Sequence, residues 1–373
     1  MPGSDDRPVL PAYGRGSVAD IVPALLGPSG TKSVPNWMPA PVLGASHVVL
    51  LVIDGLGWHQ MLARPSLTPN LAAMSGGPIT TVAPTTTATA LASITTGLTP
   101  GEHGVVGYRM QVRGEVLNVL RWWTKAGDAR KRIPAGRLQP IPAFLGACVP
   151  VVTKAEFAGS GFSEAHLAGT RLCGWRQTST LVVEVQRLVA AGESFVYAYY
   201  DGVDKVAHEY GLREHYDAEV AAADELVARL LAALPDDACL LVTADHGQVH
   251  TGRSVVHLHP SVVTLVAGQS GEGRFRWLHA RTGAAGDLLA AADAAHGGQA
   301  WVVGIDQVID EGWFGPRVSD VVRSRLGDVA LVARDDISFD DPDDTGIITL
   351  LARHGSLTEA EMIVPLLAAR GSR

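Results

Sequence analysis

The chain has 373 residues, of which 47% are hydrophobic and 18% charged, with a formal net charge of −8 and a pI near 5.9. That is enough apolar material for one large α/β domain with insertions, or for two domains, and it excludes disorder over most of the length. The acidic balance excludes a surface that tracks a nucleic-acid duplex, because the only basic cluster, Arg130, Lys131 and Arg132, is a short solvated run. Residues 1–45 read as a polar, proline-rich tail and loop with one helix at SVADIVPALLG. This segment lacks a basic start followed by an apolar core, so no signal peptide is expected. HVVLLVI at 47–53 is short and β-branched and stops before Gly55 and Gly57, which predicts a buried strand. TTATALASITTG at 86–97 predicts a helix closed by Gly97. A strand is expected in GESFVYAYYDG, ending near Asp201. An amphipathic helix follows in HYDAEVAAADELVARLLAALP, stopped by Pro235, and another buried strand in ACLLVTADHG.

Strands alternating with helices predict an α/β fold: a mostly parallel central sheet with helices on both faces. Residues 257–345 have a separate rhythm. SVVTLVAG and RFRWLHA flank the glycine-rich QSGEG, then come a helix in GDLLAAADAAH, a strand in QAWVVGI, a helix near 316–326 and a strand in DVALVARD. The expected division is a tail at 1–45, a catalytic core at 46–256 and 346–373, and a small α+β insertion or lid at 257–345. No apolar stretch reaches the ~18–20 residues of a membrane span. Cys148, Cys173 and Cys239 are widely spaced and form no CxxC pair, which predicts a reducing, cytoplasmic setting.

In parallel sheets ligands bind beyond the carboxyl ends of the strands, and Asp54, Asp204 and Asp245 all fall there. Asp245 is followed by His246. Asp204 and His208 are four apart, on one face if their segment is helical. His354 comes late, in RHGSLTEAEMIVPLL. Carboxylates with imidazoles suit zinc, and also manganese or iron. Two such ions ~3.5–4 Å apart clamp the attacking and leaving oxygens of a phosphoryl transfer. A threonine at the start of the 86–97 helix would sit beside free N–H groups and the positive dipole end, where a phosphate docks.

These segments resemble the alkaline phosphatase superfamily, and within it the type I phosphodiesterase/nucleotide pyrophosphatase branch. The order in that branch is a strand-ending Asp, a Thr-bearing segment closing on TG, D-x-x-x-H, DHG and a late HG. Here the matching residues are Asp54, Thr87, Asp204 with His208, Asp245 with His246, and His354. The resemblance implies two divalent metal ions, zinc first. One would be held by Asp204, His208 and His354, and the other by Asp54, Asp245, His246 and the Thr87 oxygen. It also implies a hydrolase that cleaves phosphodiester or pyrophosphate bonds through a phospho-threonine intermediate, acting on a small phosphorylated substrate such as a nucleotide.

Thr87 is chosen by counting nine residues back from Thr96 in TG; Thr85, Thr86 and Thr89 stay open as alternatives. Where nucleotide pyrophosphatases carry a phosphate-holding asparagine and a base-stacking phenylalanine, this chain has Ala90 and Ala88, so the resemblance does not extend to nucleotide preference. Phosphomonoesterases, phosphonate hydrolases and phosphomutases share the superfamily and remain alternatives. A sulfatase would carry cysteine or serine at the nucleophile position, and a non-catalytic module would lack a ligand; neither applies. Asp201 is expected to support the site or make a turn. His103 and His250 lie near the motifs. His257 and His259 are expected to alternate onto one strand face. The acidic run DDISFDDPDD at 335–344 is expected to be a solvated loop, and RWWTK at 121–125 to pack against the core. Nothing in the sequence points to an oligomeric state.

Overall fold

The computed structural model describes residues 7–344 and 350–373. Seven strands form one sheet: β1 (His47–Ile53), β2 (Ser75–Thr80), β3 (Pro150–Lys154), β4 (Arg171–Trp175), β5 (Phe195–Tyr200), β6 (Ala238–Thr243) and β7 (Ile363–Arg370). Their order is β2-β7-β6-β1-β5-β3-β4. The five from β6 to β4 are parallel, and β7 runs antiparallel to both β6 and β2. Strands β5 and β6 are buried along their whole length, and β1 is buried except at His47. A continuous apolar run, rather than an alternating one, is what a strand covered on both faces requires. The fold is α/β with a mostly parallel central sheet, as expected from the alternating elements.

Three helices position the site. Helix α1 (Thr87–Thr96) ends at Gly97, whose φ of +69° places it in the left-handed region that closes a helix without a Cβ penalty. Helix α2 (Gly202–Tyr210) leaves β5 directly, and α3 (Glu214–Ala233) returns along the sheet to Pro235.

The stretch from 257 to 344 contains a second, antiparallel sheet: Val266–Glu272, Phe275–Ala280, Val329–Ala333 and Ala300–Gly304, in that spatial order. Ala330 and Val332 pack into the main core. Val329, Leu331 and Ala333 pack with Leu288 and Ala292 of the helix Ala285–His296. Strand alternation thus wedges this sheet between its own helix and the body of the protein.

Several local expectations differ. QSGE is strand, and the hairpin turns at Gly273–Arg274. The helix near 316–326 is only Asp320–Arg323. His257 and His259 share no strand, because the pairing ends at Val256: His257 is exposed on Asp340, and His259 caps the turn Pro260–Val263. The acidic run is not wholly solvated, since Asp341 is buried between Arg109 and Arg276. In RWWTK, Trp122 packs in the core and donates to the Ile133 carbonyl, whereas Trp123 is exposed. The start of the expected 346–373 segment lies outside the described residues. Among the described residues no helix is long and apolar enough to cross a membrane, and the three cysteines are unpaired.

Candidate metal centre

Because β1, β5 and β6 are parallel and adjacent, their C-terminal ends deliver Asp54, Asp201 and Asp245 to one edge of the sheet. Gly55 has φ +74°, and a Cβ there would lie 2.7 Å from Gln248 Nε2 and 3.0 Å from Asp204 Cβ. Glycine therefore serves both the turn and the close approach of α2. The site's carboxylates and imidazoles gather into two groups, Asp54–Asp245–His246 and Asp204–His208–His354. They adjoin through the stacked rings of His246 and His354, whose centroids are 3.5 Å apart.

All three imidazoles are set the same way. Nδ1 of His208 lies 2.8 Å from the Ala352 carbonyl, Nδ1 of His354 lies 2.7 Å from that of Thr85, and Nδ1 of His246 lies 3.1 Å from that of Gly247. Each Nδ1–H donates to a carbonyl, which leaves the Nε2 lone pair free to face the carboxylates. His246 Nε2 is 3.4 Å from Asp54 Oδ1, 3.3 Å from Asp245 Oδ2 and 3.2 Å from Thr87 Oγ1. His208 Nε2 is 3.2 Å from Asp204 Oδ2, and His354 Nε2 is 3.7 Å from Asp204 Oδ1.

Asp54, Asp245 and His246 are almost fully buried, and no Lys or Arg among the described residues pairs with either acid. Tyr199 donates its hydroxyl to Asp54 Oδ2, and the Gly55 and His246 N–H groups donate to Asp245 Oδ1, each at 3.0 Å. Asp54 Oδ1 and Asp245 Oδ2 have no hydrogen-bond partner. Burial, with Asp245 and Asp204 nearby, pushes Asp54 well above the usual carboxylate range; burial raises Asp245 too, against the pull of His246. Buried acids without a counter-charge are costly unless a cation is coordinated, and these unpartnered oxygens fit one. In the second group, burial works to raise Asp204, yet His208 and His354 hold it below its usual range. Burial likewise works to lower His208, which Asp204 nevertheless lifts, while burial and His246 drive His354 down.

The four threonines separate by their neighbours. Thr85 donates to the Ser356 carbonyl and accepts from Gly355 N–H. Thr86 is the N-cap residue of α1, and the Thr89 hydroxyl is buried without a partner. Thr87, the first helical residue, brings its hydroxyl to His246 and lines a cavity of about 280 Å³ that also touches Asp54 and Asp204. Asp201 joins neither group, because Lys154 and Lys205 hold it at 2.8 and 2.7 Å. His103 faces Ser93, and burial beside Arg325 takes it down to about 3. His250 accepts from Leu212 N–H and lies outside both groups.

Sequence reasoning missed Tyr199, Gln248, whose amide donates to Asp204, and the buried pair Arg274–Glu361. Gln248 adjoins DHG in the sequence, which is a usable signal. Tyr199 is recognisable only once β5 is paired with β1.

The fold and the paired donor sets define a phosphoester hydrolase of the alkaline phosphatase superfamily. The chain belongs to the type I phosphodiesterase/nucleotide pyrophosphatase family, whose model matches residues 48–357. No curated protein matches it. Among solved structures it resembles murine ectonucleotide pyrophosphatase/phosphodiesterase 5, with a TM-score of 0.64 at 15% identity, covering 86% of this chain and 87% of that one. An inactive form of the murine protein, in complex with AMP, is similar at a TM-score of 0.63, 15% identity and the same coverage. Phosphonoacetate hydrolase from Sinorhizobium meliloti 1021, in complex with phosphonoformate, is similar at a TM-score of 0.62 and 16% identity, covering 88% and 91%.

Proposed function

We propose that this protein cleaves phosphodiester or pyrophosphate bonds of a small phosphorylated substrate, with Thr87 as nucleophile between two divalent ions. The ligands assigned are Asp54, Asp245, His246 and the Thr87 oxygen for one ion, and Asp204, His208 and His354 for the other. The observation that carries this reading is the gathering of three imidazoles and three carboxylates into two adjoining groups, one of which reaches a helix-initiating threonine through His246. When bound, such ions would lower the hydroxyl pKa and neutralise charge on the attacking and leaving oxygens; zinc suits this mixture of donors best.

The chain's own contributions follow from its geometry. The first turn of α1 directs unpaired N–H groups and the positive dipole end toward a bound phosphate. This backbone contribution stands in for the side-chain donor that Ala90 does not supply. The Thr87 oxygen attacks phosphorus, the bond to the leaving oxygen breaks, and water then hydrolyses the phospho-threonine ester. Tyr199 fixes the Asp54 carboxylate so that Oδ1 faces His246. We assign 257–345 as an insertion that braces the His354 segment through Arg274–Glu361, and place the protein in the cytoplasm on its unpaired cysteines.

The test compares turnover of p-nitrophenyl phosphate, bis-p-nitrophenyl phosphate and the p-nitrophenyl ester of thymidine monophosphate. Metal-depleted protein is assayed before and after addition of zinc or manganese. Faster diester turnover that depends on metal supports the reading. A faster monoester rate would reassign the protein to the phosphomonoesterases, and activity untouched by metal depletion would refute the site.

A further inference from the structure

The cavity that opens at Asp54 and Thr87 continues away from the donor groups between Leu91, Phe157, Phe162 and Tyr199. Its walls are mostly apolar, and at about 280 Å³ it falls just below the ~300–1,000 Å³ range of ligand pockets, so it suits a compact group. One wall is His166, the last residue of the helix Gly161–His166. Its ring stacks on Phe162 with centroids 4.0 Å apart and planes at 21°. Its Nδ1 lies 2.7 Å from the Phe162 carbonyl, so the proton sits on Nδ1 and Nε2 carries a lone pair. Among the described residues no donor meets Nε2, and Nε2 is not one of the enclosed unpartnered atoms. It is therefore the ring nitrogen left without a partner on a residue that lines the cavity. Burial takes His166 down to about 4, so the ring is neutral at pH 7. Lys205, on the same wall, is tied to Asp201 at 2.7 Å.

We propose that His166 determines specificity: the cavity takes a compact aromatic group of a phosphate or phosphonate ester, and Nε2 accepts a hydrogen bond from an N–H or O–H on that group. This rests on reading the Thr87 end as the phosphate site. A polar acceptor in an apolar wall favours ligands that satisfy it and penalises those that leave it unpaired.

Calorimetric affinities of phenylphosphonate and (3-aminophenyl)phosphonate for metal-loaded protein test the proposal without requiring turnover. The amino compound binds about three- to tenfold more tightly to the wild type. In His166→Phe, which keeps an aromatic ring on Phe162 but has no acceptor, the preference disappears; in His166→Gln, whose amide oxygen can accept, part of it returns. Equal affinities in the wild type, a preference that survives in His166→Phe, or no binding of either compound overturns the proposal. Tighter binding of (3-carboxyphenyl)phosphonate than of both also overturns it, and points to the lysines at Asp201 instead. Failure of the hydrolase reading is distinct: none of the p-nitrophenyl esters turns over with either metal, whatever these affinities are.

Discussion

Arg274 and Glu361 form a doubly hydrogen-bonded ion pair, Nε–Oε1 and Nη2–Oε2 both at 2.8 Å, with neither side chain exposed. Arg274 stands at the hairpin turn of the second sheet, and its Nη1 also donates to the carbonyls of Asp335 and Ile337. Glu361 accepts from Ser356 N–H at 2.9 Å and from the Thr358 hydroxyl at 2.6 Å, and its carbonyl accepts from Gly247 N–H. The pair thus couples the second sheet to the segments carrying His354 and His246. Replacing Arg274 by Met leaves the buried carboxylate without its cation, at a cost of roughly 3–5 kcal/mol; Glu361→Met strands the guanidinium at a similar cost. The double variant strands no charge. It keeps only the loss of hydrogen bonds to one N–H, one hydroxyl and two carbonyls, so it falls well short of the summed singles, with a coupling energy of about 3 kcal/mol. Urea unfolding of the metal-free wild type and the three variants measures this, provided their m-values agree. A single variant that loses less than about 1 kcal/mol, or singles that simply add, refutes the claim that the paired charges hold these segments together.

Thr87→Ala is expected to lower turnover by on the order of 10³-fold or more even at metal concentrations that keep both ions bound through the remaining ligands, checked by steady-state rates and elemental analysis of the same samples. His354→Ala is expected to lose roughly one of two ions per chain and to keep the ion assigned to Asp54, Asp245 and His246, read by titration with a metal-sensitive dye. Tyr199→Phe leaves Asp54 without its hydroxyl donor and weakens only the ion at Asp54, by about 10–100-fold, in competition titrations. His166 has a folded pKa of about 4 and His103 of about 3, both lowered first by burial, against about 6.5 in the unfolded chain. The unfolded state therefore binds more protons below pH 6.5, and stability falls from there down toward the folded values, by about 2 kcal/mol for each histidine at pH 5. His166→Phe accordingly loses about 2 kcal/mol less than the wild type between pH 7 and pH 5 in denaturant titrations, and an unchanged pH slope contradicts a neutral buried His166.

The sequence made the three strands at the middle of the sheet, β1, β5 and β6, legible because they are buried on both faces. HVVLLVI is read as a strand from composition alone, and the strand is His47–Ile53. Gly97 and Pro235 mark helix ends by local sterics that act in any context. The acids at strand ends were legible for a related reason, since a parallel sheet sends all such ends to one edge. Strands β3 and β4 were not read, because each has five residues in a region without periodic pattern and gains its place only by pairing across the sheet. The helix near 316–326 shrank to Asp320–Arg323, where an apolar spacing compatible with a helix is consumed by packing of single residues such as Val322 and Leu326.

Charge is where local reading fails most, because a charged residue's burial depends on a partner distant in sequence. DDISFDDPDD reads as solvated, since six acids in ten residues cannot all be buried unpaired. Asp341 escapes that rule because Arg109, 232 residues away, and Arg276, 65 residues away, both reach it. Arg276 belongs to the second sheet, and Arg109 begins the antiparallel strands at 109–128. The buried carboxylate therefore joins three segments, as Glu361 does on the other side of the hairpin turn. Asp54 and Asp245 are the contrasting case. They are as deeply buried, but no guanidinium or ammonium among the described residues reaches them. The protein supplies cations to the acids that brace its second sheet, and to Asp201, and withholds them from Asp54 and Asp245. That difference, more than burial itself, separates a structural carboxylate here from one available to a metal ion.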